Sequence, residues 1–190
     1  MTNSLGTARK RGMVQILIAL LFFLFPHFAT STMMIEPQIA YKAGMLEEPA
    51  GAKSSLNGAS FGGKLGWVLD SNLSFGFDGN YSSLEKEYAS DPRVLYSANG
   101  KQLGLFLTAD FSAFQATSCY FFVDELKFTN RDEELKGNAL KLGLSIPVIA
   151  SLNANFDYIK HNFRDAVGLM AKLPNDASTV MISVSYFLTR

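Results

Sequence analysis

The stretch LSFGFDGNY, residues 73–81, decides the fold of this chain. Every second residue except Gly79 is apolar, and those between are polar or glycine: Leu73, Phe75, Phe77 and Tyr81 alternate with Ser74, Gly76, Asp78 and Asn80. Successive side chains of a β-strand point to opposite faces, whereas an α-helix would scatter these residues around its circumference. The stretch therefore predicts a strand with one apolar and one polar face.

The same period of two recurs along the chain and predicts seven more strands. They are placed at Ile35–Met45, Ala59–Leu69, Leu103–Phe111, Phe114–Val123, Leu140–Ile146, Leu152–Tyr158 and Val180–Tyr186. The long segments between them include Ser82–Gly100 and the charged Asp124–Gly137, which we predict to be loops. The connections alternate between long and short, a pattern typical of barrels with long external loops and short periplasmic turns.

The N-terminal residues 1–31 predict a signal peptide. Arg9, Lys10 and Arg11 form a basic region ahead of an apolar run, Met13–Phe25, that is too short to cross a bilayer and has the length of a signal-peptide core. We expect cleavage after the small residues Ala29 to Ser31 or at Thr32. Residues 32–190 then form one mature domain, and a retained N-terminal anchor is the alternative.

Composition excludes several classes of function. The 17 basic and 17 acidic residues become 14 and 17 when the three basic residues of the leader are removed, so the mature charge is about −3. The mature chain has no basic run, which argues against a nucleic acid partner. Cys119 and His161 are its only cysteine and histidine, so we predict no disulfide, no metal site and no cofactor.

The alternation alone does not say which face points inward, because a soluble barrel packs its apolar face inside. Large apolar faces opposite small, glycine-rich polar faces favour lipid outside and a crowded polar lumen. Aromatic residues near strand ends predict two interfacial girdles, with Trp67, Phe111, Phe114 and Tyr186 at the periplasmic end and Tyr81, Tyr120 and Phe122 nearer the external end. We therefore predict an all-β fold, an eight-stranded antiparallel up-and-down transmembrane β-barrel.

On this strand pattern the mature chain resembles the small eight-stranded outer-membrane β-barrel proteins, the group of the OmpA transmembrane domain and OmpX. Its closing segment, TVMISVSYF at 179–187, looks like the C-terminal strand that the barrel-assembly machinery recognises, although the chain continues with Leu188, Thr189 and Arg190. The resemblance implies a monomer in the outer membrane of a Gram-negative bacterium. Its implied partners are outer-membrane lipid and, during biogenesis, the assembly machinery.

The polar faces carry a set of charges that we predict to line the lumen: Lys42, Lys64, Asp78, Asp110, Lys141 and Asp157, with Glu36 as a further candidate. Opposite charges in a confined interior should pair, because an isolated ion there carries a large desolvation cost. The set is either a polar pathway with a gate or a plug of salt bridges. We favour the plug, because an eight-stranded barrel is just wide enough for side chains to fill.

An enzymatic site is the weakest hypothesis. Asp157 and His161 share a strand face, but some lipid A deacylases of this architecture carry His-x-Ser, where this chain has His161, Asn162 and Phe163. We therefore predict His161 to be a rim residue and the protein to be non-enzymatic.

Two non-enzymatic functions are open from the sequence. The first is a contribution to envelope integrity or porin-like passage of small solutes, and the main rival is surface adhesion or recognition through the external loops. The last long loop holds Val167, Leu169, Met170 and Leu173, which form either an apolar binding tip or an extension of the strands. An envelope lipid-modifying enzyme ranks third.

Overall fold

The computed structural model describes residues 31–47, 53–70, 72–88, 91–129, 133–167 and 175–189. The predicted signal peptide, apart from Ser31, lies outside the described residues. Within the described ranges the elements are β1 (Thr32–Glu47), β2 (Lys53–Asp70), β3 (Leu73–Tyr88), β4 (Asp91–Asp110), β5 (Gln115–Phe128), β6 (Glu133–Ile149), β7 (Leu152–Val167), β8 (Asn175–Tyr186) and the two-residue β9 (Leu188–Thr189). No helix in these ranges is long and apolar enough to span a bilayer.

The eight long strands form a closed barrel. Each pairs antiparallel with its neighbours in sequence, and β1 pairs with both β2 and β8, so the sheet has no free edge. Beyond Phe187, β9 continues along β1. The hydrogen-bonded ladder that leaves β1 at Ile35 returns to β1 at Met45, ten residues further on. With ordinary strand spacings, this shift tilts the strands by about 40° from the barrel axis.

The predicted eight-stranded barrel is confirmed, but the strands are longer than the sequence indicated. The start of β1 and the end of β9 lie at one end of the barrel, the terminal end, and the strands extend well past their predicted limits towards the opposite, distal end. The predicted loops Ser82–Gly100 and Asp124–Gly137 are wrong: β3 and β4 occupy most of the first, and β5 and β6 most of the second. The distal connections at 48–52, 89–90, 130–132 and 168–174 lie outside the described residues.

Strand β3 shows why these loops were predicted wrongly. In its terminal half Phe77 faces outward and Asp78 is fully buried inside. In its distal half the alternation continues, but the apolar side chains now point inward and the charged ones outward. Leu84 is buried inside, while Glu85 is exposed. The barrel is therefore apolar outside and polar inside at its terminal end, and the reverse at its distal end.

An apolar band surrounds the terminal half. Ile39 is 75% exposed, Phe61 62% and Ile182 61%, and every long strand contributes to the band. So large an exposed apolar surface on a closed barrel requires lipid around it, because water would oppose it at about 25 cal/mol per Å². The predicted outward orientation of the apolar face is confirmed for this half.

An apolar cluster fills the distal half and corrects the expectation of a polar interior throughout. We call it the distal core, and all eight long strands contribute to it: Leu46, Leu56, Leu84, Ala98, Leu126, Phe128, Leu135, Phe163 and Ala177. Lys86 is buried with it and places its ammonium 5.0 Å from the ring centre of Phe128. Outside the lipid band the wall faces water, so these side chains are stabilised by packing inward, as in a soluble barrel.

Candidate functional site

An ion pair crosses the middle of the lumen. Lys141 on β6 contacts Asp78 on β3, and neither side chain is exposed to solvent. Asn80 donates a hydrogen bond of 2.8 Å to the other carboxylate oxygen of Asp78. Because β3 and β6 lie on opposite walls, the pair ties the two sides of the barrel together.

A second ion pair lies closer to the terminal end. Lys64 Nζ is 3.2 Å from Glu36 Oε2, and both side chains are buried. The hydroxyl of Ser185 donates to the other oxygen of Glu36. The carboxylate thus has partners on both oxygens, which offsets part of its desolvation cost.

Asp157 belongs to the same charged region. It lies within electrostatic reach of Lys141 and Lys64, and its carboxylate lies over Gly143, where a Cβ atom would collide with it. One of its oxygens has no protein partner within the described part of the chain. The structure therefore brings Lys64, Asp78, Lys141 and Asp157 into one buried cluster.

Lys42 lies in a polar layer beneath the distal core, within electrostatic reach of Asp78, Lys141 and Asp157. Its ammonium donates to Ser82 Oγ at 2.8 Å and to Gln102 Oε1 at 2.7 Å. Gln102 in turn donates to Asp124 Oδ1 at 3.1 Å. The side-chain amide of Gln102 thus links Lys42 to Asp124. Neither Asp124 nor Gln102 was among the predicted site residues.

His161 completes this layer, and its predicted place at the rim is wrong. Its Nδ1 is hydrogen-bonded to Asp124 Oδ2 at 2.8 Å, and its Nε2 to Thr179 Oγ1 at 3.1 Å. This order of carboxylate, imidazole and hydroxyl is the one hydrolases use. The cavity beside it, however, measures only about 30 Å³, which is about the volume of one water molecule.

Asp110 differs from the other predicted lumen charges. Its carboxylate accepts hydrogen bonds of 2.8 Å from the backbone N–H of Ser112 and from the Gln115 side chain. Ser112 has a φ of 66°, a left-handed conformation that a neighbouring carboxylate can stabilise in a tight turn. Asp110 therefore caps the β4–β5 turn and stands apart from the charged cluster.

Apolar side chains occupy the space between these polar layers. They form a second buried cluster: Met34, Ala40, Phe106, Cys119, Phe121, Ala139, Ile159 and Met181. At the terminal end a cavity of about 560 Å³, lined by Glu36, Asp110 and Phe187 among others, opens beneath the lumen charges. Within the described part of the chain, the charged layers and the distal core fill the barrel on the distal side of this cavity.

The predicted interfacial aromatics lie in two groups. At the terminal end of the band, Trp67 stacks on Phe75 at 5.7 Å and Phe111 on Phe114 at 5.0 Å, with Tyr186 close to the same end. At the distal edge lie Tyr81, whose ring is 5.3 Å from that of Phe61, and Tyr120.

Tyr41 and Tyr158 also lie at the distal edge and were not among the predicted girdle residues. Both are exposed on outward faces near this edge, so the period of two alone could have identified them.

Charged side chains ring the outside of the distal half, and we call this ring the collar. Its described members are Glu47, Lys53, Glu85, Glu87, Lys101, Glu125, Lys127, Glu134, Lys136, Lys160, Arg164, Asp165 and Asp176. Two exposed ion pairs occur in it, Lys53–Glu47 at 3.6 Å and Lys136–Glu134 at 3.3 Å. Because solvent-exposed pairs contribute little stability, the collar chiefly keeps this half of the wall in water.

Solved structures of outer-membrane proteins share this fold. The attachment invasion locus protein Ail of Yersinia pestis superposes with a TM-score of 0.55 at 10% identity, over 82% of this chain and 98% of that one. Neisserial surface protein A gives 0.53 at 12% identity, over 81% and 96%. No family model and no curated protein sequence matches the chain. At these identities the likeness concerns the fold, which is that of the small eight-stranded outer-membrane barrels.

Proposed function

We propose that this outer-membrane barrel is a closed, non-enzymatic, monomeric surface protein whose distal half carries the strand connections beyond the lipid for recognition or attachment. The distal core is the observation that carries this proposal. A barrel that only filled the membrane would not need nine further buried apolar side chains beyond the apolar band. At about 1.5–3 kcal/mol for each fully buried large apolar side chain, the distal core makes this projection a rigid support.

Solute passage is disfavoured by the same contents. A permeant molecule would have to cross the buried Lys141–Asp78 pair, the Lys42 layer and then the distal core. Between the Lys42 layer and the distal core, the described residues line a cavity of about 30 Å³. Envelope integrity without a ligand remains the second candidate, supported by the continuous apolar band.

Catalysis is disfavoured by access. The Asp124–His161–Thr179 series lies inside the wall beneath the distal core, and the cavity lined by all three residues, about 30 Å³, is too small for an acyl chain or a sugar. A groove of about 450 Å³ on the outer wall is lined by Asp124 but not by His161 or Thr179. We interpret these hydrogen bonds as structural, because they satisfy the polar groups of three strands in a low-dielectric interior.

The test is replacement of the distal connections in whole cells. Residues 48–52 and 168–174 are exchanged for Gly-Ser segments of the same length, singly and together, and attachment to epithelial monolayers and to other bacterial cells is counted. The proposal expects attachment to fall to that of cells lacking the protein, while the folded band on unboiled SDS gels persists. Unchanged attachment, together with detergent sensitivity in the deletion strain, would favour the integrity function.

A further inference from the structure

The two halves of the collar differ in net charge. On β4–β7 the described outward charges are five cations, Lys101, Lys127, Lys136, Lys160 and Arg164, and three anions, Glu125, Glu134 and Asp165. On β8 and β1–β3 they are one cation, Lys53, and four anions, Glu47, Glu85, Glu87 and Asp176. One half of the collar is thus positive by two charges, and the other is negative by three.

A groove of about 450 Å³ lies on the outer wall in the positive half. Its position follows from two breaks in strand pairing. The β5–β6 register shifts between Phe121 and Asp124, and the β6–β7 register shifts between Lys136 and Gly137. Such bulges bend the strands locally and re-aim their side chains, which leaves a recess in an otherwise regular wall.

The lining of this groove is amphipathic along the barrel axis. Tyr120 and Phe122 form the part of the groove nearer the terminal end, at the edge of the apolar band. Lys136, Asn138 and Arg164 form the part nearer the distal end, within the collar. Arg164 is exposed and forms no ion pair with a described residue. The guanidinium of Arg164 can bind an anionic headgroup, while the lipid-facing rings of Tyr120 and Phe122 can contact the apolar part of the same ligand.

Three acidic residues line the same groove. Glu125 and Asp165 balance the charge of Lys136 and Arg164 locally, and the third, Asp124, is buried and hydrogen-bonded to Gln102 and His161 inside the barrel. The attraction for an anion therefore comes from Arg164 itself and from the surrounding cations Lys101, Lys127 and Lys160. This arrangement predicts opposite effects when an acid or a base of the groove is neutralised.

We propose that the outer-wall groove binds the phosphate group of a phosphorylated outer-leaflet glycolipid, with Arg164 and Lys136 contacting the phosphate and the acyl chains lying on Tyr120 and Phe122. The amphipathic lining, the height at the junction of apolar band and collar, and the positive half around it all point to this ligand. The site does not depend on recognition at the distal tip.

Native mass spectrometry of the folded full-length mature chain tests the site, with lipid A and enzymatically dephosphorylated lipid A as probes. Lys136→Gln with Arg164→Gln should weaken lipid A binding about twenty-five-fold, at about fivefold for each basic side chain near the headgroup. Lys53→Gln, which removes a cation from the negative half, should change binding less than twofold. Asp165→Asn should tighten it.

The proposal is overturned by equal binding of the dephosphorylated lipid, by equal losses in Lys53→Gln and Arg164→Gln, or by weaker binding in Asp165→Asn. The unboiled mobility of each variant on SDS gels shows whether it is folded. Because no adhesion is measured, failure here leaves the surface function standing, and loss of adhesion alone leaves the lipid site standing.

Discussion

Lys141 on β6 and Asp78 on β3 form an ion pair across the lumen, and both side chains are completely buried. Replacing Lys141 with Met leaves the Asp78 carboxyl without its cationic partner in a closed interior. We expect Lys141→Met to lower the free energy of unfolding by about 3–5 kcal/mol. Urea unfolding in detergent micelles, followed by the fluorescence of Trp67, the only tryptophan, measures the change.

Two comparisons make that experiment decisive. Lys101→Met removes an exposed lysine and should cost no more than about 1 kcal/mol. The double variant Lys141→Met with Asp78→Leu removes both charges and should be more stable than Lys141→Met alone. Equal stability of the wild type and Lys141→Met would show that the pair does not form.

The distal core should behave as the interior of a soluble barrel. Leu135 is fully buried in it, so Leu135→Ala should destabilise the protein by about 2–5 kcal/mol through lost burial and the cavity left behind. Leu140→Ala, five residues along the same strand on the lipid-facing side, should cost less because lipid can fill the space. The urea assay compares the two, and a smaller effect at Leu135 would contradict an apolar interior beyond the membrane.

The Asp124–His161 hydrogen bond should matter for stability and not for chemistry. His161→Ala leaves Asp124 short of a donor and should cost about 1–3 kcal/mol. Mass spectrometry of lipid A from cells expressing this variant should match that from wild-type cells. A lipid A species that depends on His161 would restore the enzyme hypothesis.

Labelling of the Cys119 thiol tests whether the barrel is closed. Its side chain is 1% exposed inside the barrel, so a maleimide coupled to polyethylene glycol should label it only after unfolding. Ser97→Cys, on the outward face of the distal half, is the matched position and should be labelled in the folded protein. Rapid labelling of Cys119 without denaturant would require an open lumen.

The sequence predicted the terminal half well because both its faces carry strong signals. In 73–81 every outward position but Gly79 is apolar and every inward one is polar or glycine, so the lumen positions of Asp78 and Lys141 follow from parity alone. Their pairing does not follow from parity. It depends on the ten-residue shift that sets which heights face one another across the barrel.

The strands of the distal half were not predicted from the sequence, for two physical reasons. In SSLEKEY, residues 82–88, Leu84 is the only inward aliphatic residue, so the period of two is weak among polar neighbours. In β5 the bulge after Phe121 shifts the alternation by one residue, which turns Asp124, Leu126 and Phe128 inward. A bulge of this kind has no clear sequence signature, so the partner of His161 could not have been derived.

Single-channel recording from the refolded mature protein in a planar lipid bilayer tests the closed interior most directly. The Lys141–Asp78 pair, the Lys42 layer and the distal core together predict no steady conductance in symmetric KCl, even though unboiled SDS gels show a folded barrel. A steady, reproducible conductance step carried by the folded protein would contradict a closed barrel and restore solute passage as its function.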